Sequence, residues 1–181
     1  MIKQMFDLQP SLKNEHIRIQ PLRDSDFETL FAVASDPLIW EQHPNKERYR
    51  KEVFENFFAG AIESGGAFLV VDTHSNQVIG SSRYYDWKMD EKSVSIGYTF
   101  LAKDHWGTTY NHALKSLMLD HAFQYVESVF FHIGALNIRS QKAIEKLGAK
   151  KVDEVNMAYY GELNNLNFIY RIDKADWTKR F

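Results

Sequence analysis

One passage from strand to helix constrains this chain more than any other. Val94–Leu101 (VSIGYTFL) is rich in the β-branched and aromatic residues that pack on a pleated surface. It leads through Ala102-Lys103-Asp104-His105-Trp106-Gly107-Thr108-Thr109-Tyr110-Asn111 into a helix expected over Thr109–Phe123. There Ala113, Leu114, Leu117, Met118, His121 and Ala122 recur at three- and four-residue spacings, the stripe of a helix packed on one side. The next strand is Ser128–Ile133 (SVFFHI). A helix between two neighbouring strands makes their pairing parallel. Val94–Leu101 and Ser128–Ile133 are therefore read as a parallel pair.

The flanking segments fill in that sheet. His16–Leu22 alternates as a strand, and Asp24 is placed to cap a helix over Ser25–Ser35. Asp36-Pro37 breaks that helix, and Trp40-Glu41-Gln42-His43-Pro44 reads as a loop. Glu47–Ser64 puts Tyr49, Val53, Phe57 and Ala61 on one helical stripe, ended by Gly65-Gly66. Ala67–Asp72 and Gln77–Tyr85 are strands around the turn His74-Ser75-Asn76. With Lys92–Leu101 they form an antiparallel meander. Arg139–Leu147 is a helix stopped by Gly148, and Lys150–Val155 and Asn167–Ile172 are the closing strands. The order is β-α-α-β-β-β-α-β-α-β-β, a mixed α+β (α/β) sheet with helices on both faces.

At 181 residues the chain is expected to be one domain, 1–181, with residues 1–14 loosely ordered. Formal net charge is −2 with no basic run, which argues against a nucleic-acid surface. No apolar stretch is long enough for a membrane span or a leader, and there is no cysteine, so no thiolate chemistry and no disulfide. A cytoplasmic protein, monomer or homodimer, is the expectation. The seven histidines include no metal triad, so no metal is expected. No Gly-x-Ser-x-Gly motif supports a serine hydrolase.

A helix start presents unpaired N–H groups and about half a positive charge. A diphosphate at Gly107 would meet both, and the missing Cβ permits close approach. Thr108, Thr109 and Asn111 add donors. Alone, this is an ordinary glycine loop as readily as a phosphate cradle. Asn137 and Ser140 likewise are good caps for the helix that follows them.

The string Asn137-Ile138-Arg139-Ser140-Gln141-Lys142-Ala143-Ile144-Glu145-Lys146-Leu147-Gly148-Ala149, with Trp106-Gly107-Thr108, resembles the GNAT superfamily of N-acyltransferases. The closest likeness is to the branch that acetylates protein N-terminal amines, including ribosomal-protein alanine acetyltransferases. It covers roughly His16–Trp177. The family signature Gln/Arg-x-x-Gly-x-Gly/Ala falls on Asp104–Thr109, where only Gly107 matches strictly.

The resemblance implies a GNAT-like sheet whose two central parallel strands splay and admit the pantetheine arm of acetyl-CoA. It implies coenzyme A contacts from Leu101, Trp106, Gly107, Thr108, Thr109, Tyr110, Asn111, Asn137 and Ser140. Ser140 would face the thioester sulfur, because the tyrosine acid of many members is replaced by Ile144. Their strand glutamate is replaced by Ser93 and Ser95. The base is then Glu41, His43, His132 or a water chain, with His132 the chosen catalytic candidate. Arg139 and Lys142 read as solvated helix charges. Trp40, His43, Tyr84, Trp87, Tyr98, Tyr159 and Tyr160 are candidates for the acceptor wall. The expected reaction is acetyl transfer to a primary amine, preferably a protein or peptide N-terminus. A small amine (polyamine, amino acid or antibiotic) is the alternative acceptor, and a silent acyl-CoA-binding module the alternative class.

Overall fold

β3 (Ala67–Asp72) explains the layering. All six of its residues are buried, and they alternate between two cores. Phe68 and Val70 face one apolar cluster, while Ala67, Leu69 and Val71 face the other. A strand covered on both sides must lie inside a sheet with helices on both faces. The computed structural model describes residues 5–158 and 162–179 and has that form.

The sheet is β1 (Leu12–Lys13), β2 (Ile17–Pro21), β3, β4 (Val78–Lys88), β5 (Ser93–Leu101), β6 (Ser128–Gly134), β8 (Asn164–Asp173) and β7 (Lys150–Ala158), in that spatial order. Every neighbouring pair is antiparallel except β5–β6. Helices α1 (Phe27–Ala34), α2 (Pro37–Trp40) and α3 (Lys51–Glu63) pack on the face of Leu69 and Phe100. Helices α4 (Tyr110–Ala122), α5 (Ile138–Lys146) and α6 (Lys174–Thr178) pack on the other, around Ile96, Met118, Ile144 and Trp177.

Two features of β5 shape the centre. Its parallel ladder with β6 holds only Ser93↔Ser128, Val94↔Val129 and Ser95↔Phe130, and then stops. On its other side, Ser81↔Phe100 is followed by Arg83↔Gly97, so Tyr98 and Thr99 together oppose Ser82. This is a β-bulge, which bends the strand carrying it. Tyr98 takes a left-handed φ of 53°, uncommon for a bulky residue. The Arg83 guanidinium lies 3.9 Å from the centre of its ring and holds it there.

Several expectations change in the fold. Between the Asp36-Pro37 break and the loop over 41–44 lies a short helix that the sequence reading lacked. Asp36 accepts the Leu38 amide at 2.9 Å, Pro37 sits in the first turn, and α2 buries Ile39 and Trp40. Asp24 does not cap α1. It opens a 3₁₀ turn, and the Asp26 carboxylate takes the Arg23 amide at 2.8 Å. Within the opening segment, expected to be loosely held, Phe6 is an anchor. Phe6 is buried, its ring 5.1 Å from both Tyr84 and Tyr125 and 5.9 Å from Trp87. That contact joins residues far apart in sequence, so no local pattern announces it. Tyr84 and Trp87, proposed for the acceptor wall, belong to this core, and Trp40 to the opposite one. Tyr159 and Tyr160 lie outside the described residues.

Phe6→Ala should lower unfolding free energy by about 3 kcal/mol, the usual cost of emptying an aromatic core site. Denaturant unfolding measures it, and a loss under about 1 kcal/mol would show that this segment is not part of the core.

Candidate active site

Where β5 and β6 part, a cavity of about 460 Å³ opens. It is lined from β5 by Ile96 to Leu101, from β6 by Phe131 to Gly134, from α4 by Asn111, His112 and Lys115, and from α5 by Ser140 and Ile144. Ile39, His43, Pro44 and Arg48 line it from the opposite face of the sheet. The gap is thus a passage through the sheet, bordered by helices on both sides. The volume is that of an ordinary ligand site.

The turn before α4 forms one rim. Gly107 has φ +65°, and a Cβ built there meets nothing within 4 Å, so conformation rather than space calls for glycine. The Thr108 hydroxyl donates to the His105 carbonyl at 2.7 Å, and the Trp106 indole N–H donates to the Leu101 carbonyl at 2.9 Å. These bonds fold the turn so that Trp106, Gly107, Thr108 and Asn111 line the cavity. Thr109 and Tyr110, expected to join them, do not line it. Tyr110 instead turns its hydroxyl to Asp72 Oδ1 at 3.1 Å. Burial opposes the Asp72 charge, but hydrogen bonds from the His74 amide and the Ser75 and Tyr110 hydroxyls hold its carboxyl well below the usual range. His105 also lines the cavity, with a buried Nδ1 that has no partner among the described residues. Asp104 and Thr109, where the sequence departs from the family signature, both lie outside the cavity lining.

The start of α5 forms the other rim. Asn137 caps the helix, its Oδ1 accepting the Ser140 amide at 3.2 Å, and it lines the cavity as well. Gln141 Nε2 donates to the Gly134 and Ala135 carbonyls at 3.1 and 3.0 Å, fixing α5 to the end of β6. Gly134 is a close-approach position: a Cβ there would stand 2.9 Å from Pro44 Cγ. Arg139 is not a solvated charge, contrary to expectation. Its guanidinium stacks 3.9 Å from the Trp106 ring centre and donates to the Ile39 carbonyl at 3.2 Å, while its amide donates to Gln42 Oε1 at 3.0 Å. Lys142 is exposed, at the rim.

Of the proposed bases, Glu41 lies outside the lining and pairs with Arg139 at 3.6 Å. His43 lines the cavity, but burial, reinforced by Arg48 and Arg139, lowers its pKa to about 3. It is a neutral imidazole at ordinary pH and a feeble proton acceptor. His132 lines the cavity, with Nδ1 2.7 Å from the Tyr85 hydroxyl. Burial, assisted by Lys88 and opposed by Asp86, also lowers its pKa. Tyr98, a candidate for the acceptor wall, is in the lining. Ser93 and Ser95 are buried on β5 before the strands part, and both line a smaller cavity instead.

Sequence reasoning missed three lining cations, Arg48, Lys115 and Lys146. Arg48 is held through paired bonds of 2.8 and 2.7 Å to Glu162, joining the segment before α3 to the β7–β8 connection. Lys115 is buried on α4 beside Leu114, Met118 and Leu119. A charge standing on an apolar helical stripe was the available signal. No carboxylate lines the cavity among the described residues.

Residues 16–150 match the family model for the acetyltransferase (GNAT) domain. No curated protein matches the sequence. Solved structures share the fold. A GCN5-related N-acetyltransferase from Brucella melitensis is 16% identical, with TM-score 0.79 over 97% of this chain and 82% of that one. The ribosomal-protein-S5-alanine acetyltransferase from Vibrio fischeri is 20% identical, with TM-score 0.66 over 93% and 99% of the two chains. The spermidine N-acetyltransferase from Vibrio cholerae, in complex with CoA and spermine, is 15% identical, with TM-score 0.69 over 91% and 99%. With a family model spanning most of its length and a splayed central strand pair, this chain belongs to the GNAT acetyltransferase family.

Proposed function

We propose that the chain transfers an acetyl group from acetyl-CoA directly to a primary amine, preferably the N-terminus of a protein or peptide. The observation that carries this reading is the passage between β5 and β6, rimmed by the Gly107 turn and the Asn137 cap. Past Ser95 neither strand has the other as ladder partner, so an extended amide-bearing arm can lie along the edge as an added strand would. The Vibrio cholerae structure of the same fold contains CoA. Amides at the α4 start and His105 would meet the diphosphate. Asn137 would bond the pantetheine amides through the side-chain nitrogen that capping leaves over.

On the far face, His43, Arg48 and Tyr98 would border the acceptor. His43 is neutral and Arg48 is already paired with Glu162, so no lining carboxylate among the described residues is left to stabilise an ammonium, and the acceptor amine is favoured in its neutral, attacking form. A polyamine, cationic along its whole length, finds no carboxylate in this lining, which favours a peptide N-terminus over that alternative. His132 would take the proton the amine sheds, directly or through water. That role needs the tautomer in which Nδ1–H donates to Tyr85, leaving the Nε2 lone pair. Ser140 would hydrogen-bond the thioester sulfur. Much of the acceleration then comes from alignment of amine and carbonyl.

Acetyl-CoA at a hundred times its Kd should raise Tm by roughly 5–10 °C, as mass action on the folded state requires. Incubation with a panel of N-terminal peptides and small amines should release free CoA thiol. Binding without release from any amine would favour the silent module. His132→Gln should cut kcat by about a hundredfold and remove the acid-side limb of the pH profile, where the imidazole becomes protonated and cannot accept. Ser140→Ala should lower kcat more than it raises the acetyl-CoA KM, and unchanged kcat would remove the hydroxyl from the chemistry.

A further inference from the structure

Lys115 occupies an unusual place. Its Nζ donates to Thr99 Oγ1 on β5 and lies 6.0 Å from the ring centre of Phe131 on β6. Both residues come after the last β5–β6 pair, so the ammonium stands in the gap where the strands part. Thr99 Oγ1 is 2.8 Å from Ser82 Oγ, which extends the polar contact into β4. Around Lys115 the titratable groups are Tyr98 on β5, His132 on β6, Tyr84 on β4, Lys142 and Lys146 on α5, and His112 on α4. None of these is a carboxylate, and no carboxylate lines the gap beside Lys115 among the described residues.

A buried cation without a counter-charge is costly. A leucine or methionine would satisfy the α4 stripe without that cost, so packing does not account for the lysine. The gap is also where the acyl-transfer reading places the thioester, and that reaction generates negative charge on sulfur. Ile144 carries no proton, the Ser140 hydroxyl is a far weaker acid than a thiol, and Lys142 and Lys146 are exposed on α5, whereas Lys115 is buried in the gap itself.

We propose that Lys115 is the proton donor to the departing coenzyme A sulfur, a role that rests on the direct-transfer reading above. The amine lone pair forms the C–N bond at the thioester carbonyl. Collapse of the adduct breaks the C–S bond, and its electron pair goes to sulfur. The proton passes from Nζ to sulfur, directly or across the Ser140 hydroxyl, and leaves the free thiol. The amine's own proton goes to His132 or water, and neutral Lys115 regains a proton from solvent before the next turnover. Burial supports this by lowering the Lys115 pKa to about 7, under the value of about 8.5 for a thiol, so donation runs downhill.

Two measurements on Lys115→Met and Lys115→Arg test the role. The first needs no acceptor: ultraviolet absorbance of the thiolate follows the titration of bound coenzyme A. Ammonium and thiolate stabilise each other and titrate as a coupled pair, so the thiolate band should appear about one unit lower in the wild type than in K115M, a tenfold difference in acidity. The second is steady-state turnover. K115M should lose roughly ten- to a hundredfold in kcat with little change in the acetyl-CoA KM. The alkaline decline of wild-type kcat should vanish in K115M, and in K115R it should move beyond the titration range of lysine. K115M places an apolar side chain on an apolar stripe, and K115Q gives the same readings should K115M fail to fold. Identical thiol titration and identical kcat in wild type and K115M would overturn the role while leaving acyl transfer standing. Absence of CoA release in the wild type would instead overturn acyl transfer, and the thiol titration would still report on Lys115.

Discussion

The early end of the β5–β6 ladder is the constraint on which the rest of the structure depends. Parallel strands joined by a helix normally stay paired along their length, because every lost rung leaves backbone groups to be satisfied elsewhere. Here pairing ends after Ser95 and Phe130. The bulge at Tyr98–Thr99 accompanies the parting and increases the local bend of β5. The left-handed Tyr98 is held by its stack on Arg83, so the parting is fixed by packing rather than by a flexible glycine. Gly97, one residue earlier, does not take the positive φ.

From that opening the site follows. Helix α4 brings the Gly107 turn to one rim and Lys115 to the gap, and α5 brings Asn137 and Ser140 to the other. Arg139 ties the rims together through Trp106 and reaches the end of α2. Among the described residues the lining is cationic or neutral. That charge pattern suits a donor carrying phosphates, an acceptor amine that must lose its proton, and a thiolate that must gain one.

What could be read from the sequence was what local pattern encodes. β3, the α4 stripe and the Asn137 cap carry their own signals in spacing and residue type. The order β-α-α-β-β-β-α-β-α-β-β was correct in its main elements but lacked β1, α2 and α6, each five residues or fewer. Long-range contacts left no such trace. Phe6 in the core, Arg48 on Glu162 and the stacking of Arg139 on Trp106 all join distant segments. Thr109 and Tyr110 stand outside the cavity lining, since motif adjacency does not say which side of a turn faces a cavity. Lys115 broke the apolar pattern of its helix, a local signal visible in the spacing of Leu114, Met118 and Leu119 around it.

A crystal structure of the chain with coenzyme A tests the central claim most directly. The account predicts the pantetheine arm between Thr99 on β5 and Phe131 on β6, its diphosphate at the Gly107 turn and its sulfur beside Ser140 and Lys115. Coenzyme A bound elsewhere, or β5 and β6 zipped together beyond Ser95 with no arm between them, would contradict it.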